Sequence, residues 1–292
     1  MAKQDWVDAF VDRHGLPGRF GNDARHYLVP IVTWLASGAF STIGLSGAQG
    51  TGKTTVGAFF VEALRREFGQ HAVLLSLDDY YLPQRKRQEL ANRVHPLLAA
   101  RGVPGTHDLA GLCAALDALR EPGAAIAVPV FDKACDDRLP EAAWRQVEPP
   151  VDLVILEGWC LGIPAQSASA LERPVNSLER DEDPTGAWRL FVNEQLDGDY
   201  ALLNERLEAL IYLQVPDMAA VVQWRTQQER ELHEDRGGGM SAASVVDFVR
   251  YFERLTRHGL APLPMRADVG VTLDDGLGVA EVCFTRGGVR EC

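Results

Sequence analysis

The chain contains no apolar run of the roughly 18 residues that a membrane helix needs, and Met1-Ala2-Lys3-Gln4-Asp5 opens no secretory apolar core. A cytoplasmic location without a membrane partner is the expectation. Positive charge is also scarce, because 29 Lys and Arg face 41 Asp and Glu for a formal charge of −12. Nucleic acids and anionic bilayers are held by basic fields, so neither is an expected partner. Cysteine is sparse, odd in number and scattered: Cys113, Cys135, Cys160, Cys283 and Cys292 include no C-x-x-C pair. That spacing excludes a zinc knuckle and predicts reduced thiols, some of them buried. Lysine is rarest of the charged residues, confined to Lys3, Lys53, Lys86 and Lys133. A lysine inside a motif here therefore carries more information than usual. Internal repeats and low-complexity tracts are absent too.

What the chain does have is Gly44-Leu45-Ser46-Gly47-Ala48-Gln49-Gly50-Thr51-Gly52-Lys53-Thr54-Thr55. It fits G-x-x-x-x-G-K-[ST], the phosphate-binding P-loop. Phe40 to Leu45 reads as a short buried strand before it. Thr54 to Phe68 reads as a helix behind it, with Val56, Phe59, Phe60, Ala63 and Leu64 at helical spacing. Gly47, Gly50 and Gly52 let the backbone curl so that N–H groups, including those of Ala48, Gln49, Thr51 and Thr55, turn toward phosphate oxygens. The helix N-terminus adds partial positive charge. Lys53 is placed for the β- and γ-phosphates, and the Thr54 hydroxyl for Mg²⁺. ATP and Mg²⁺ are the expected ligands.

Strands then alternate with helices. Ala72 to Leu77 ends in Asp78-Asp79-Tyr80-Tyr81, Ala124 to Val130 in Phe131-Asp132-Lys133, and Val151 to Leu156 in Glu157-Gly158-Trp159. Ala209 to Val215 and Ala267 to Leu273 complete the set. The pattern predicts an α/β three-layer sandwich on a mainly parallel sheet, with ligands beyond the carboxyl ends of its strands. Residues 1–38 read as a helical extension, with one helix around Trp6, Val7, Phe10 and Val11. A second, Tyr27 to Leu35, is expected to break near Pro30. Residues 39–292 are then the catalytic domain. Arg85 to Leu98 reads as a charged surface helix and Ile163 to Asp183 as a surface loop. A helix from Pro216-Asp217 to about Asp235 carries Arg225, Arg230 and Arg236 into Gly237-Gly238-Gly239. It reads either as an arginine-bearing lid over 217–240 with a glycine hinge or as a solvated charged face.

Glu157, an acid ending an apolar strand downstream of a P-loop, is placed to support Mg²⁺. Asp78 and Asp79 end the preceding strand, where a carboxylate faces the γ-phosphate. Asp108 is either the N-cap of the helix after it or a site residue, and His107 either a surface histidine or a site residue.

With these residues in hand, the chain resembles the P-loop glycerate kinase family, the plant-type D-glycerate 3-kinase and its fungal and bacterial relatives. Pantothenate kinase, uridine kinase and phosphoribulokinase are its cousins. The resemblance rests on Ser46 to Thr55, Ser76 to Tyr81, Asn92 with Arg101-Gly102-Val103-Pro104-Gly105-Thr106-His107-Asp108, and Phe131-Asp132-Lys133 with Asp137-Arg138. Glu157-Gly158-Trp159-Cys160-Leu161-Gly162, Val192-Asn193-Glu194, Gln223-Trp224-Arg225 and Gly239-Met240-Ser241 extend it over residues 40 to 260. It implies an ATP-dependent small-molecule kinase, with D-glycerate as the first acceptor to try. By this resemblance Asp78 is the general base, with Asp79 the adjacent alternative, and Asp78 and Glu157 lie near the metal with Thr54. Asp79, Tyr81, His107, Asp108, Lys133 and Arg138 form the acceptor site. Arg138 then meets the acceptor's carboxylate, Lys133 bridges acceptor and γ-phosphate, and Arg225 closes on ATP. Another small acceptor, or a nucleotide switch without transfer, is the competing reading. Asn-Lys-x-Asp, the guanine signature of a GTPase switch, is absent.

Overall fold

Apolar side chains alternate between two faces along the sheet strands, so the sheet needs cover on both sides. Ile43 and Leu45, Leu153 and Ile155, and Ala209, Ile211 and Leu213 all enter one core. Val154 and Leu156, Leu210 and Tyr212, and Val73 and Leu75 enter the other. A computed structural model of the chain describes residues 5–236, 242–286 and 289–292. It contains a seven-stranded sheet in the order Val289–Glu291, Val279–Arg286, Val269–Leu273, Ala209–Gln214, Thr42–Gly47, Leu153–Gly158 and Ala72–Ser76. The last five run parallel and the first two form an antiparallel edge. Helices cover both faces, which gives the three-layer α/β sandwich expected. No helix among the described residues is long and apolar enough to cross a membrane.

The N-terminal helices form part of one covering layer. Trp6 stacks on Phe59 of the P-loop helix at 5.2 Å, and Phe10 meets the same ring edge-on at 5.5 Å. Pro30 does not break the second helix. That helix starts at Gly18, passes through a π-type turn at Ala24–Leu28 and resumes over Val29–Ser37. Pro30 directly follows that π-type turn, where the altered hydrogen-bond ladder accommodates its missing N–H.

Several expectations change. The segment Ala124 to Val130 contains a strand, Ile126–Val128, but it pairs with Arg145–Val147 in a separate two-stranded ribbon. The charged helix Gln84–Arg93 lies at the surface as expected, but its inner face buries Arg87, Leu90 and Ala91, with Arg87 fully buried. Arg87 donates to the carbonyls of Leu82, Ala99 and Asp136 and to the Asp136 carboxylate.

Ile163 to Asp183 is not a plain loop. It folds into two short helices, Ala168–Leu171 and Ser177–Glu182, that bury Glu179 and Asp183. Both oxygens of Glu179 accept from Arg254 at 2.7 Å, and Asp183 pairs with Arg189 at 2.9 Å. Fork-to-fork geometry is what makes such a buried charge tolerable. Cys283 and Cys292 are disulfide-bonded, contrary to the expectation of five reduced thiols, while Cys113, Cys135 and Cys160 are free. The edge hairpin pairs Phe284 with Glu291, so chain reversal brings the two sulfurs together. The expected glycine hinge at 237–239 lies outside the described residues.

Candidate active site

Three neighbouring parallel strands, Thr42–Gly47, Leu153–Gly158 and Ala72–Ser76, release their chains at the same sheet edge. That edge places the P-loop, Glu157 and the Asp78-Asp79 pair side by side. Between them lies a cleft of about 200 Å³ lined by Gln49, Lys53, Thr54, Thr55, Asp78, Tyr81, Arg101, Lys133, Glu157 and Arg225 among others. A larger cavity of about 330 Å³ lies under the N-terminal helices, between Trp6, Val29, Ala63 and Phe68. It is remote from these strand ends and mostly apolar.

In the P-loop, Gly50 and Gly52 adopt φ of +83° and +79°, which an L side chain resists. A Cβ on Gly50 would also stand 3.2 Å from the Trp224 Cβ and 3.3 Å from the Arg225 nitrogen. The loop is thus pressed against the helix Met218–Arg236, which Trp224 Nε1 ties to the Asp275 carbonyl at 2.9 Å. Gly50→Ala is expected to cost about 1–2 kcal/mol of strain and to weaken nucleotide binding about tenfold. Nucleotide titration against thermal unfolding checks this, and unchanged affinity would show that the loop relaxes freely.

Lys53 Nζ donates to the Ala48 carbonyl at 2.9 Å. Burial lowers the Lys53 pKa, opposed by the charges of Glu157 and Asp78. The Gln49 side-chain nitrogen is buried without a hydrogen-bond partner. A donor left over inside a phosphate loop suits an anionic ligand. Thr54 and Ser76 hydroxyls both donate to Oε1 of Glu157, at 2.8 and 3.0 Å. These are hard oxygen donors, the set Mg²⁺ prefers, and Thr54 with Glu157 would hold it. Sequence reading missed Ser76, although its place near the end of a strand beside the Glu157 strand was the available signal.

Asp78 accepts from the Tyr81 hydroxyl at 2.9 Å and from Lys133 Nζ at 2.7 Å. Burial opposes its charge, yet Lys133 outweighs that cost and carries its pKa down to about 2. Both oxygens therefore have protein partners, and the carboxylate is ionised at neutral pH. Asp79 turns elsewhere, accepting from the Phe131 backbone N–H at 3.1 Å, and burial raises its pKa. It does not line the cleft.

The remaining acceptor-loop residues form a layer behind Tyr81. His107 is buried and stacks on Tyr81 at 4.5 Å, with its Nδ1 on the Tyr200 hydroxyl. Burial pushes its pKa down to about 4, so it is neutral at pH 7. Asp108 is the N-cap of Leu109–Ala118, accepting from Gly111 N at 3.0 Å, and it also meets Arg138 at 3.1 Å. Arg138 is where the structure departs most from the sequence reading. Its other nitrogens donate to the Tyr81 carbonyl at 2.7 Å and the Tyr80 carbonyl at 2.9 Å. Each guanidinium nitrogen thus has a protein partner, two on strand-end carbonyls and one on Asp108, and Arg138 is not among the residues that line the cleft.

Arg225 does line the cleft, held by Glu229 and Gln228 and lying over the Phe248 ring at 5.3 Å. Arg230 is exposed and does not line the cleft, and the side chain of Arg236 is not described. Arg101, Trp159, Gln228, Phe248 and Phe252 reach the cleft without having been singled out for it in the sequence. They converge from four separate segments, which spacing along the chain does not reveal.

No family model matches the chain. The uncharacterized kinase mug58 of Schizosaccharomyces pombe is 33% identical over 218 residues, covering 72% of this chain and 77% of that protein. The chloroplastic D-glycerate 3-kinase of Arabidopsis thaliana is 30% identical over 247 residues, covering 77% of this chain and 52% of the plant enzyme, about half its length. Among solved structures, D-glycerate 3-kinase from Cryptococcus neoformans superposes with a TM-score of 0.70 at 24% identity, covering 97% of this chain and 99% of that one. The fold, the P-loop with its strand-end acids and the similarity to mug58 agree: the chain belongs to the P-loop D-glycerate 3-kinase family.

Proposed function

We propose that this protein transfers the γ-phosphoryl group of ATP to a hydroxyl of a small acidic acceptor, with D-glycerate the first candidate and 3-phosphoglycerate the product. The observation that carries the reading is that Lys53 of the P-loop and the paired Asp78 line one small cleft. P-loop amides and Lys53 cradle the phosphates, and Asp78 accepts the acceptor's hydroxyl as hydrogen-bond partner and receives its proton late in the transfer. A carboxylate with a pKa of about 2 is a weak base. Loose phosphoryl transfer asks little proton removal of it before the P–O bond is largely broken, so orientation is its main contribution. Mg²⁺ held near Thr54 and Glu157 would neutralise charge on the β- and γ-phosphate oxygens. Lys133 keeps Asp78 ionised, and Tyr81 fixes its rotamer through the 2.9 Å hydrogen bond.

The test is coupled ADP release with Mg²⁺-ATP across D-glycerate, L-glycerate, glycerol, pantothenate, uridine and ribulose 5-phosphate. Strongest stimulation by D-glycerate is expected, with glycerol turned over only slowly at high concentration. Stronger stimulation by another member would move the acceptor while leaving the chemistry. Silence throughout, with ATP still bound, would favour a nucleotide-binding protein without transfer.

A further inference from the structure

Arg138 was the natural partner for an acceptor carboxylate, and all its nitrogens are used on backbone and Asp108. Another cation must then face that charge. Four cationic side chains line the cleft: Lys53, Arg101, Lys133 and Arg225. Lys53 belongs to the phosphate loop. Lys133 is matched by Asp78 at 2.7 Å, and Arg225 is paired with Glu229. Arg101 differs, because its counter-ion is shared. Asp136 accepts from Arg101 and also from Arg87 at 2.8 Å. Arg87 is wholly buried, so its charge depends on that carboxylate. Two guanidiniums on one carboxylate leave a surplus positive charge, and Arg101 is the member that lines the cleft.

The guanidinium is also pre-oriented. It lies over the Phe131 ring at 5.4 Å, and one nitrogen approaches the Lys133 carbonyl at 3.5 Å. Lys133 in turn carries the ammonium that meets Asp78. Arg101 therefore sits beside the residue that touches the candidate base, and both Arg101 and Asp78 line the same small cleft. The loop that follows it is rigid. Gly102 has φ of +134°, its carbonyl accepts from Trp159 Nε1 at 2.9 Å, and a Cβ there would stand 2.5 Å from Phe252. Its N–H donates to Thr106 Oγ1 at 3.1 Å.

We propose that Arg101 is the residue that selects acidic acceptors, pairing its planar fork with the acceptor's carboxylate while Asp78 takes the hydroxyl. This rests on the kinase reading above and deepens it. A bidentate charge-assisted contact is worth enough that its loss raises KM at least about 20-fold.

The experiment compares wild type, Arg101→Gln and Arg101→Lys on D-glycerate and on glycerol, which lacks the carboxylate, with ATP KM measured in parallel. For Arg101→Gln the D-glycerate KM is expected to rise about 20-fold or more, while glycerol turnover and ATP KM stay within about twofold. Arg101→Lys keeps the charge but not the fork, and is expected to raise the D-glycerate KM about fivefold. An ATP KM that rises instead would make Arg101 a phosphate contact. Equal losses on both acceptors would make it merely structural. Either result overturns the assignment. If Arg101→Gln does not fold, as judged by its thermal melt, Arg101→Lys decides: an unchanged D-glycerate KM there overturns the assignment as well. Wild-type activity on a different acid would remove glycerate as the acceptor, and the same KM comparison on that acid would still decide Arg101. Wild-type activity only on uncharged acceptors would sink both readings.

Discussion

Asp78→Asn is expected to lower kcat about 10³-fold while leaving ATP affinity within about threefold. Asparagine fills the same space and still accepts from the Tyr81 hydroxyl, so the strand end keeps its shape. What it loses is the negative charge that draws the acceptor hydroxyl into line and takes its proton. The same substitution is expected to change stability by no more than about 1 kcal/mol. Burial of the Asp78 charge is its largest single cost, and Lys133, which offsets that cost, is mostly exposed.

The sign of the pH dependence follows. The folded pKa of Asp78 lies below its ordinary 3.8, at about 2. Its stabilising contribution is present above pH 4 and is lost only as pH falls through 2. Any acid limb in the rate between pH 5 and 7 must therefore belong to another group. Single-turnover kinetics with a nucleotide titration test this prediction. Near-full turnover in the variant would move the base elsewhere, and Asp79 would be a poor successor because it faces the Phe131 amide.

The parts of this site that were legible in the sequence are those made by consecutive residues. A P-loop uses its own backbone amides, a lysine and a threonine in one short run, so spacing alone specifies it. Strand-end acids are nearly as local, because an apolar run announces the strand and parallel topology fixes which end faces the ligand. Side-chain direction is not local. Arg138 follows an acidic turn in a way that suits a ligand contact. Its guanidinium instead folds back onto the carbonyls of Tyr80 and Tyr81, more than 50 residues earlier.

The same limit explains the polar tract Ile163 to Asp183. Glu179 is buried only because Arg254, 75 residues later, meets it. Without its partner in view, a charged segment reads as solvated loop. Ile126–Val128 has the composition of a sheet strand, and only its pairing with Arg145–Val147 places it in a separate ribbon. Arg101 stood beside a recognisable glycine-proline loop. Its functional weight appears only once Asp136 is seen shared with Arg87.

Lys53→Met is expected to lower kcat/KM about 10²- to 10³-fold, the usual cost of deleting one pre-organised cation from a phosphoryl-transfer site. It is also expected to weaken ATP binding, unlike Asp78→Asn, because Lys53 meets the phosphates in the ground state as well as in transfer. The ligand-free protein is expected to respond in the opposite direction. Burial dominates the Lys53 environment and lowers its pKa, even with Glu157 and Asp78 pulling the other way. Between that lowered pKa and the ordinary 10.5 the unfolded chain binds more protons than the folded one, so stability rises with pH across this window. Methionine keeps the length of the side chain and removes the charge, so the variant loses that slope and is expected to melt no lower than wild type at pH 7. Thermal unfolding of both proteins at pH 7 and pH 9, without and with Mg²⁺-ATP, measures the two effects together. A variant that is inactive, melts higher alone and gains little from nucleotide would show that the cleft carries the cost of a buried ammonium in order to meet phosphate. A variant that melts far below wild type without nucleotide would instead make Lys53 a structural tie to the Ala48 carbonyl, and the loss of activity would then say little about phosphate.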